Sequence, residues 1–142
     1  MKIQKRELKE SDRDFVFSSW LFSFKGASPF AKRIRGKDFY KNHQKVIENI
    51  IERPTLMTCV ACLEDDPDVI LGFIIWEQDQ GTVSVHYIFV KEIYRGNGVG
   101  AFLWEEIPKK EVIYASHLTY PVVKFFNQNE SLHYDPYRMV KL

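Results

Sequence analysis

The chain has 142 residues, enough for one domain with a single core. Twenty Lys and Arg against nineteen Asp and Glu leave a net charge of +1, which excludes the global basic bias of a protein that lives on phosphate backbones, though not a local patch. No apolar run approaches the roughly 18–20 residues that span a bilayer, and the opening "MKIQKRELKESD" has no apolar signal core, so a cytoplasmic protein is the default expectation.

In chain order, "KIQKREL" alternates like a short strand. Ser11 to Asp14 has capping-box spacing ahead of "FVFSSWLFSF", which predicts a first helix. "KGASPFAKRIRG" is a loop punctuated by Gly26, Pro29 and Gly36. "KDFYKNHQKVIENIIER" then sets Phe39, His43, Val46, Ile47, Ile50 and Ile51 on one helical face, and Pro54 stops it. Three strands follow as a meander, "LMTCVACLE", "VILGFIIWE" and "TVSVHYIFVK", turning at "DDPD" and "DQG". The middle one is apolar on both faces and reads as central. After a glycine-rich segment, Val99, Phe102, Leu103 and Ile107 mark a third helix that Pro108 ends. "EVIYASHL" reads as a strand, "YPVVKFFNQ" as a short helix with Pro121 in its first turn, and "YRMVKL" as a final short strand.

The strand, glycine segment and helix must return to the sheet by a right-handed parallel crossover. The expected fold is therefore one mixed α/β domain over 1–142. Its sheet is mostly antiparallel, with a parallel strand pair in the middle, flanked by about four helices. Cys59 and Cys62 form the one C-x-x-C, but zinc needs two more ligands and no second pair exists. In a strand those two side chains point to opposite faces, so they read as core fillers and no metal is expected.

The segment "IFVKEIYRGNGVGAFL" carries the chemistry. A helix N-terminus has free N–H groups and a partial positive charge, and Gly96, Gly98 and Gly100 leave room for an anion to reach them. Arg95 adds a cation. "GNGVGA" also fits a dinucleotide fingerprint formally, but no Asp or Glu stands at Ser116 to Tyr120 for the ribose. A nucleotide P-loop fails because no Gly-Lys-Ser/Thr follows.

"IFVKEIYRGNGVG" resembles the signature of the GCN5-related N-acetyltransferases (GNAT), Q/R-x-x-G-x-G/A after the fourth strand, with Arg95, Gly98 and Gly100 filling it. "VILGFIIWE" with Gly72 resembles the family's third strand, "RELKESDRDFVF" its first strand and helix, and the element order is the family's. The resemblance implies that Arg95, Gly96, Asn97, Gly98, Val99 and Gly100 hold the pyrophosphate of acetyl-CoA. The fourth strand would splay from the fifth, with backbone groups of Ile88, Phe89 and Val90 pairing with the pantetheine arm. The Val90 N–H would donate to the thioester carbonyl, where it stabilises the oxyanion. A primary amine would attack directly in a ternary complex once a base had taken its proton. His86, nine residues before Arg95, is the candidate base, with Ser84 on the same face to hold a relay water.

Two departures stand out. In "TYPVVKFF", Thr119 and Phe126 fall where the family pattern N-x-x-A-x-x-F/L-Y has its Asn and its proton-donating Tyr. Both are expected beside the coenzyme, but Phe126 has no proton to give. Tyr120 is the substitute, and Tyr134 another. The family's closing hairpin is also shortened here, and a second copy of the chain is one way to complete it. Lys25, Lys32, Arg33, Arg35 and Lys37 place a basic loop between the first two helices, on the acceptor side in this family. Two other classes fit some features. A degenerate acyl-CoA-binding or regulatory module would keep "RGNGVG" and lack acid–base groups. A nucleic-acid binder would use that loop with Phe30, Phe39 and Tyr40.

Overall fold

The computed structural model describes residues 1–110, 112–128 and 131–141, the side chains of 126–128 excepted. Its elements run β1 (Ile3–Arg6), α1 (Arg13–Ala27), α2 (Gly36–Ile51), β2 (Leu56–Leu63), β3 (Ile70–Asp79), β4 (Thr82–Val90), α3 (Val99–Trp104), β5 (Ile113–Ala115), α4 (Tyr120–Gln128) and β6 (Leu132–Tyr134). The six strands form one mixed sheet in sequence order. β1 to β4 are antiparallel, and β4–β5 and β5–β6 are parallel. The expected fold class is the one observed.

The sheet has a core on each face. Val16, Trp20, Phe24, Phe39, Ile47 and Ile50 of α1 and α2 pack on Val60, Phe73, Ile75 and Tyr87. Val99 and Leu103 of α3 and Val122 of α4 pack on Leu71, Ile74, Val83, Val85 and Ile113 on the other side. β3 is buried on both faces from Ile70 to Glu77, as its unbroken apolar run predicts for a central strand. Gly72 is required there: a Cβ would run into the Phe89 carbonyl oxygen and the Val90 Cα.

Some expected boundaries shift. Helix α1 starts at Arg13, after a 3₁₀ turn at Glu10–Asp12. Asp12, not Ser11 with Asp14, makes the capping contact, accepting from the Lys9 N–H at 2.7 Å while paired with Arg6 at 2.6 Å. The "YRMVKL" strand is not formed. Pro136–Met139 is a 3₁₀ turn, opened by Pro136 and by the Asp135 carboxylate accepting from the Tyr137 N–H at 3.1 Å. The last strand among the described residues is instead Leu132–Tyr134, which starts five residues earlier and is too short to show a period. The basic loop is folded rather than open: Lys25 Nζ donates to the carbonyls of Ala31, Lys32 and Ile34.

The feature that shapes the site lies in β4. Tyr87 pairs with Ile75, but Val85 pairs with Trp76, so His86 is an extra residue without a partner on β3. Such a bulge breaks the alternation of faces. Val83 and Val85 face α3, and after the bulge Ile88 and Val90 do. β5 pairs with β4 only along Val83–Val85, and the Ser116 N–H closes the contact on the Val85 carbonyl at 3.0 Å. Beyond the bulge, β4 continues to Val90 and, among the described residues, no strand lies beside it on that edge.

Candidate functional site

The gap left by β5 holds a cavity of about 240 Å³. Ile88, Phe89 and Val90 line it from β4, Arg95 and Gly100 close its mouth, Thr119, Pro121 and Phe125 face it from α4, and Ser23, Ala27 and Tyr87 reach it from the α1 side. The Lys91 N–H donates to the Leu71 carbonyl at 2.8 Å, which makes Gly72–Val90 a non-hydrogen-bonded pair of the ladder. By alternation Phe89 exchanges its backbone bonds with Phe73, while the backbone groups of Ile88 and Val90 point into the gap. Phe89 thus offers the cavity its side chain and not its backbone. The Val90 carbonyl is already met by Arg95 Nε at 2.9 Å. Two edges therefore stay open to an extended ligand: Ile88, and the Val90 N–H.

At the mouth the chain turns through Gly96 and Gly98, both with left-handed φ of +82° and +80°. A Cβ at either position would carry the cost of that conformation even though the space around it is open. Asn97 Nδ2 bonds back to the Tyr94 carbonyl at 3.2 Å and stiffens the turn. The first backbone bond into α3 is Phe102 N–H to Gly98 C=O, so the N–H groups of Val99, Gly100 and Ala101 precede any helical acceptor. The glycine segment, the open strand edge and the cavity are thereby contiguous.

The candidate acid–base residues fall differently. His86 is 1% exposed and does not line the cavity. Its Nε2 lies 2.7 Å from Glu77 Oε1 and its Nδ1 2.7 Å from Ser116 Oγ, so both ring nitrogens are engaged. Ser84 is buried, with Arg138 Nη1 at 3.4 Å from its Oγ. Tyr120 is half exposed at the start of α4, outside the cavity lining. Thr119 lines the cavity and is the residue before α4, its Oγ1 3.4 Å from the Val122 N–H. Phe126 lies in α4, its side chain outside the described residues. Tyr134 sits on β6, its ring stacked on Phe30 at 6.0 Å.

Residues without a sequence signal stand closer to the chemistry. The Tyr87 hydroxyl shares a 2.6 Å hydrogen bond with Ser23 Oγ at the cavity wall, and burial pushes its pKa well up, which keeps it protonated. Behind it runs a polar chain. Ser116 Oγ lies 2.8 Å from His117 Nδ1, and His117 Nε2 lies 2.9 Å from His43 Nε2. Three of the four histidines thus meet in one buried row, and their number, in so small a chain, was the available clue. Burial lowers the pKa of His43 to about 4 and that of His117 well below its ordinary value. His86 is also lowered by burial, against the pull of Glu77. The bond from His86, with those from Thr55 and Arg53, holds Glu77 far below the usual carboxylate range. Glu77 also lines a second cavity, of about 280 Å³, with Arg53, Ser84, Asp135 and Arg138. Among the described residues there is no cluster of metal-ligating side chains and no helix long and apolar enough to cross a membrane.

The profile of the acetyltransferase (GNAT) family matches residues 19–110. No curated protein sequence matches the chain. Solved structures with this fold include Bacillus subtilis YycN, at 15% identity over 89% of this chain and 90% of that one, TM-score 0.67. The PaiA N-acetyltransferase of Thermoplasma acidophilum, solved with coenzyme A, is 16% identical over 75% of this chain and 69% of its own, TM-score 0.52. A GNAT acetyltransferase of Staphylococcus aureus Mu50 is 20% identical over 74% of this chain, TM-score 0.53, and the chain spans 62% of its length.

Proposed function

Because the chain belongs to the acetyltransferase (GNAT) family, we propose that it moves an acetyl group from acetyl-CoA to a primary amine in a ternary complex. One observation carries this reading: the cavity in the β4–β5 gap ends at the glycine turn and runs along unpaired strand backbone. An extended pantetheine arm needs such an edge, and a pyrophosphate needs bare N–H groups at its mouth. Ile88 and the Val90 N–H take the arm, with the Val90 N–H as donor to the thioester oxygen. Gly96 to Gly100 and Arg95 take the pyrophosphate. Thr119 and Phe125 wall the arm from α4.

The proton donor to the leaving thiolate is Tyr87 in this reading. Its ring lines the cavity and its hydroxyl stays protonated, whereas Tyr120 is half exposed and outside the lining. Attack by the neutral amine forms the C–N bond, collapse breaks the C–S bond, the thiolate takes the Tyr87 proton, and the proton shed by the new amide nitrogen restores the Tyr87 hydroxyl. His86 serves the amine only through its bonded neighbours, because neither ring nitrogen is open.

A thermal-shift measurement with acetyl-CoA and with free CoA, paired with a thiol-release assay over a panel of amines, tests the proposal. Both nucleotides should raise the melting temperature. No shift at millimolar ligand sinks the site. A shift without thiol release leaves a coenzyme-binding module instead of an enzyme.

A further inference from the structure

With its three rings neutral, the row His43–His117–Ser116–His86–Glu77 has one consistent arrangement of hydrogens. Glu77 is a carboxylate and can only accept, so His86 Nε2 carries the hydrogen between them. Neutral His86 then has a lone pair on Nδ1, which accepts from the Ser116 hydroxyl. Ser116 has one hydrogen, now spent, so its oxygen accepts from His117 Nδ1–H. That leaves a lone pair on His117 Nε2, which accepts from His43 Nε2–H. The lone pair displaced down the row emerges at His43 Nδ1. Among the described residues the only sealed side-chain nitrogens lacking a partner are Trp20 Nε1 and Arg53 Nε, so His43 Nδ1 is the one end of the row that is not sealed, on a ring otherwise buried.

We infer that this row is a one-way proton relay: it takes the proton of the acceptor amine at His43 Nδ1 and stores it at His86 against Glu77. The inference rests on the transfer reaction proposed above. The steps balance. The ammonium gives its proton to His43 Nδ1, and the His43 Nε2 hydrogen passes to His117 Nε2. The His117 Nδ1 hydrogen passes to Ser116 Oγ, whose own hydrogen passes to His86 Nδ1. The amine is left neutral and able to attack, and His86 becomes an imidazolium bonded to the Glu77 carboxylate. The three bonds from His43 to His86 survive with their direction reversed and the bond from His86 Nε2 to Glu77 keeps its own, so no bonded group of the row loses a partner in either state.

The surroundings suit a row that waits neutral. Around His43 stand Phe24 from α1, Phe39 from its own helix and His117 from the loop after β5. The cation from α1 is Lys25, over the Phe39 ring at 5.6 Å from its centroid and held by loop carbonyls. Tyr87 of β4 stands against His117, 5.9 Å between ring centroids. Around His86 the charges are Glu77 of β3, Arg53 beyond α2 and Lys141 of the C-terminal segment. Only Glu77 favours the charged ring, so His86 is the member that carries the proton while the transfer proceeds, and the row returns to neutral afterwards. His43 is the member that meets the substrate, and Ser116, His117 and Glu77 are positioning residues that act through it.

His43→Gln tests this, because its amide nitrogen can keep the bond to His117 but cannot take up a proton. Two probes are used: n-butylamine, protonated at neutral pH, and hydroxylamine, which is neutral there. With butylamine the variant should lose about 10²-fold in kcat at pH 7, recovering as pH rises, with a much smaller loss for hydroxylamine and with acetyl-CoA binding kept. Equal loss for both amines, or no loss for either, overturns the relay. Imidazole ¹⁵N NMR of the wild type needs no turnover: neutral rings protonated at His43 Nε2, His117 Nδ1 and His86 Nε2 support it, and the opposite tautomer at any of them overturns it. Failure of acetyl-CoA to bind the wild type would instead undo the site reading, whatever the tautomers.

Discussion

Acid should destabilise this fold earlier than its carboxylates alone would allow, and His43 sets a measurable share. Its pKa falls from the ordinary 6.5 to about 4 in the folded chain because burial disfavours the charged ring. Between those values the unfolded chain binds more protons than the folded one, so stability falls as pH falls. Integrating that difference from pH 7 to pH 5 gives about 2 kcal/mol from His43 alone. That is a large part of a typical 5–15 kcal/mol. His117 and His86, also lowered, act with the same sign. Glu77 does not contribute in this window: its folded pKa is depressed, so its stabilisation is present above the usual carboxylate range and is lost only at lower pH. Urea unfolding followed by tryptophan fluorescence at half-unit steps from pH 7.5 to 4.5 reads the slope directly, with Trp20 packed against Tyr87 and His117 as reporter. In His43→Gln the slope should be shallower by close to one proton near pH 5. Equal slopes in variant and wild type, or no loss of stability between pH 7 and 5, would refute the claim that these rings are held neutral by burial.

The glycines separate by position. Gly98→Ala should cost about 1–2 kcal/mol for a residue forced to positive φ, and should weaken acetyl-CoA binding; urea melts and a titration calorimeter measure the two. Gly100→Ala should leave the melting temperature unchanged, since its Cβ meets only Val90 Cγ2 at an ordinary 3.9 Å. Gly72→Ala should push β4 away from β3 and cost about 1–3 kcal/mol, with coenzyme affinity falling because Ile88 and Val90 move with the strand. Tyr87→Phe should keep acetyl-CoA affinity and lower kcat, most clearly in a pre-steady-state measurement of thiol release.

The legible parts of this protein are local ones. The glycine segment announces itself because a bare backbone, an arginine and a helix start all lie within a few residues. The meander and the central strand follow from period-2 and unbroken apolar runs, each readable within a single strand. The bulge at His86 was not legible: it adds one residue to one strand, and only the pairing partner reveals it. That single insertion decides which side chains share a face. It turned His86 toward Ser116 and Glu77, and it brought Tyr87 to the cavity wall. The C-terminus was misread for a related reason. "YRMVKL" alternates as a strand should, but Asp135 and Pro136 set a turn that overrides the alternation.

The C-terminal segment and the buried histidine row meet at Glu77. Its Oε1 accepts both from His86 Nε2 and from Arg53 Nη1 at 2.6 Å, and its Oε2 accepts from Thr55 Oγ1 at 2.6 Å. The same Arg53 guanidinium donates to the carbonyls of Arg138 and Met139. Helix α2, the sheet and the C-terminal segment are thus held by one buried carboxylate–guanidinium pair, where a closing hairpin would use ladder bonds. Such a pair is costly to break, about 3–5 kcal/mol when one partner is removed, so it can fix the segment without further strands. It also fixes the carboxylate as an acceptor. Held by the bond from His86, and by those from Thr55 and Arg53, Glu77 stays ionised in a site that would otherwise favour its protonated form. An ionised Glu77 is what gives the histidine row its single direction. The pair that ties the C-terminal segment to the sheet thus shares its carboxylate with the histidine row, and the two roles cannot be mutated apart at Glu77.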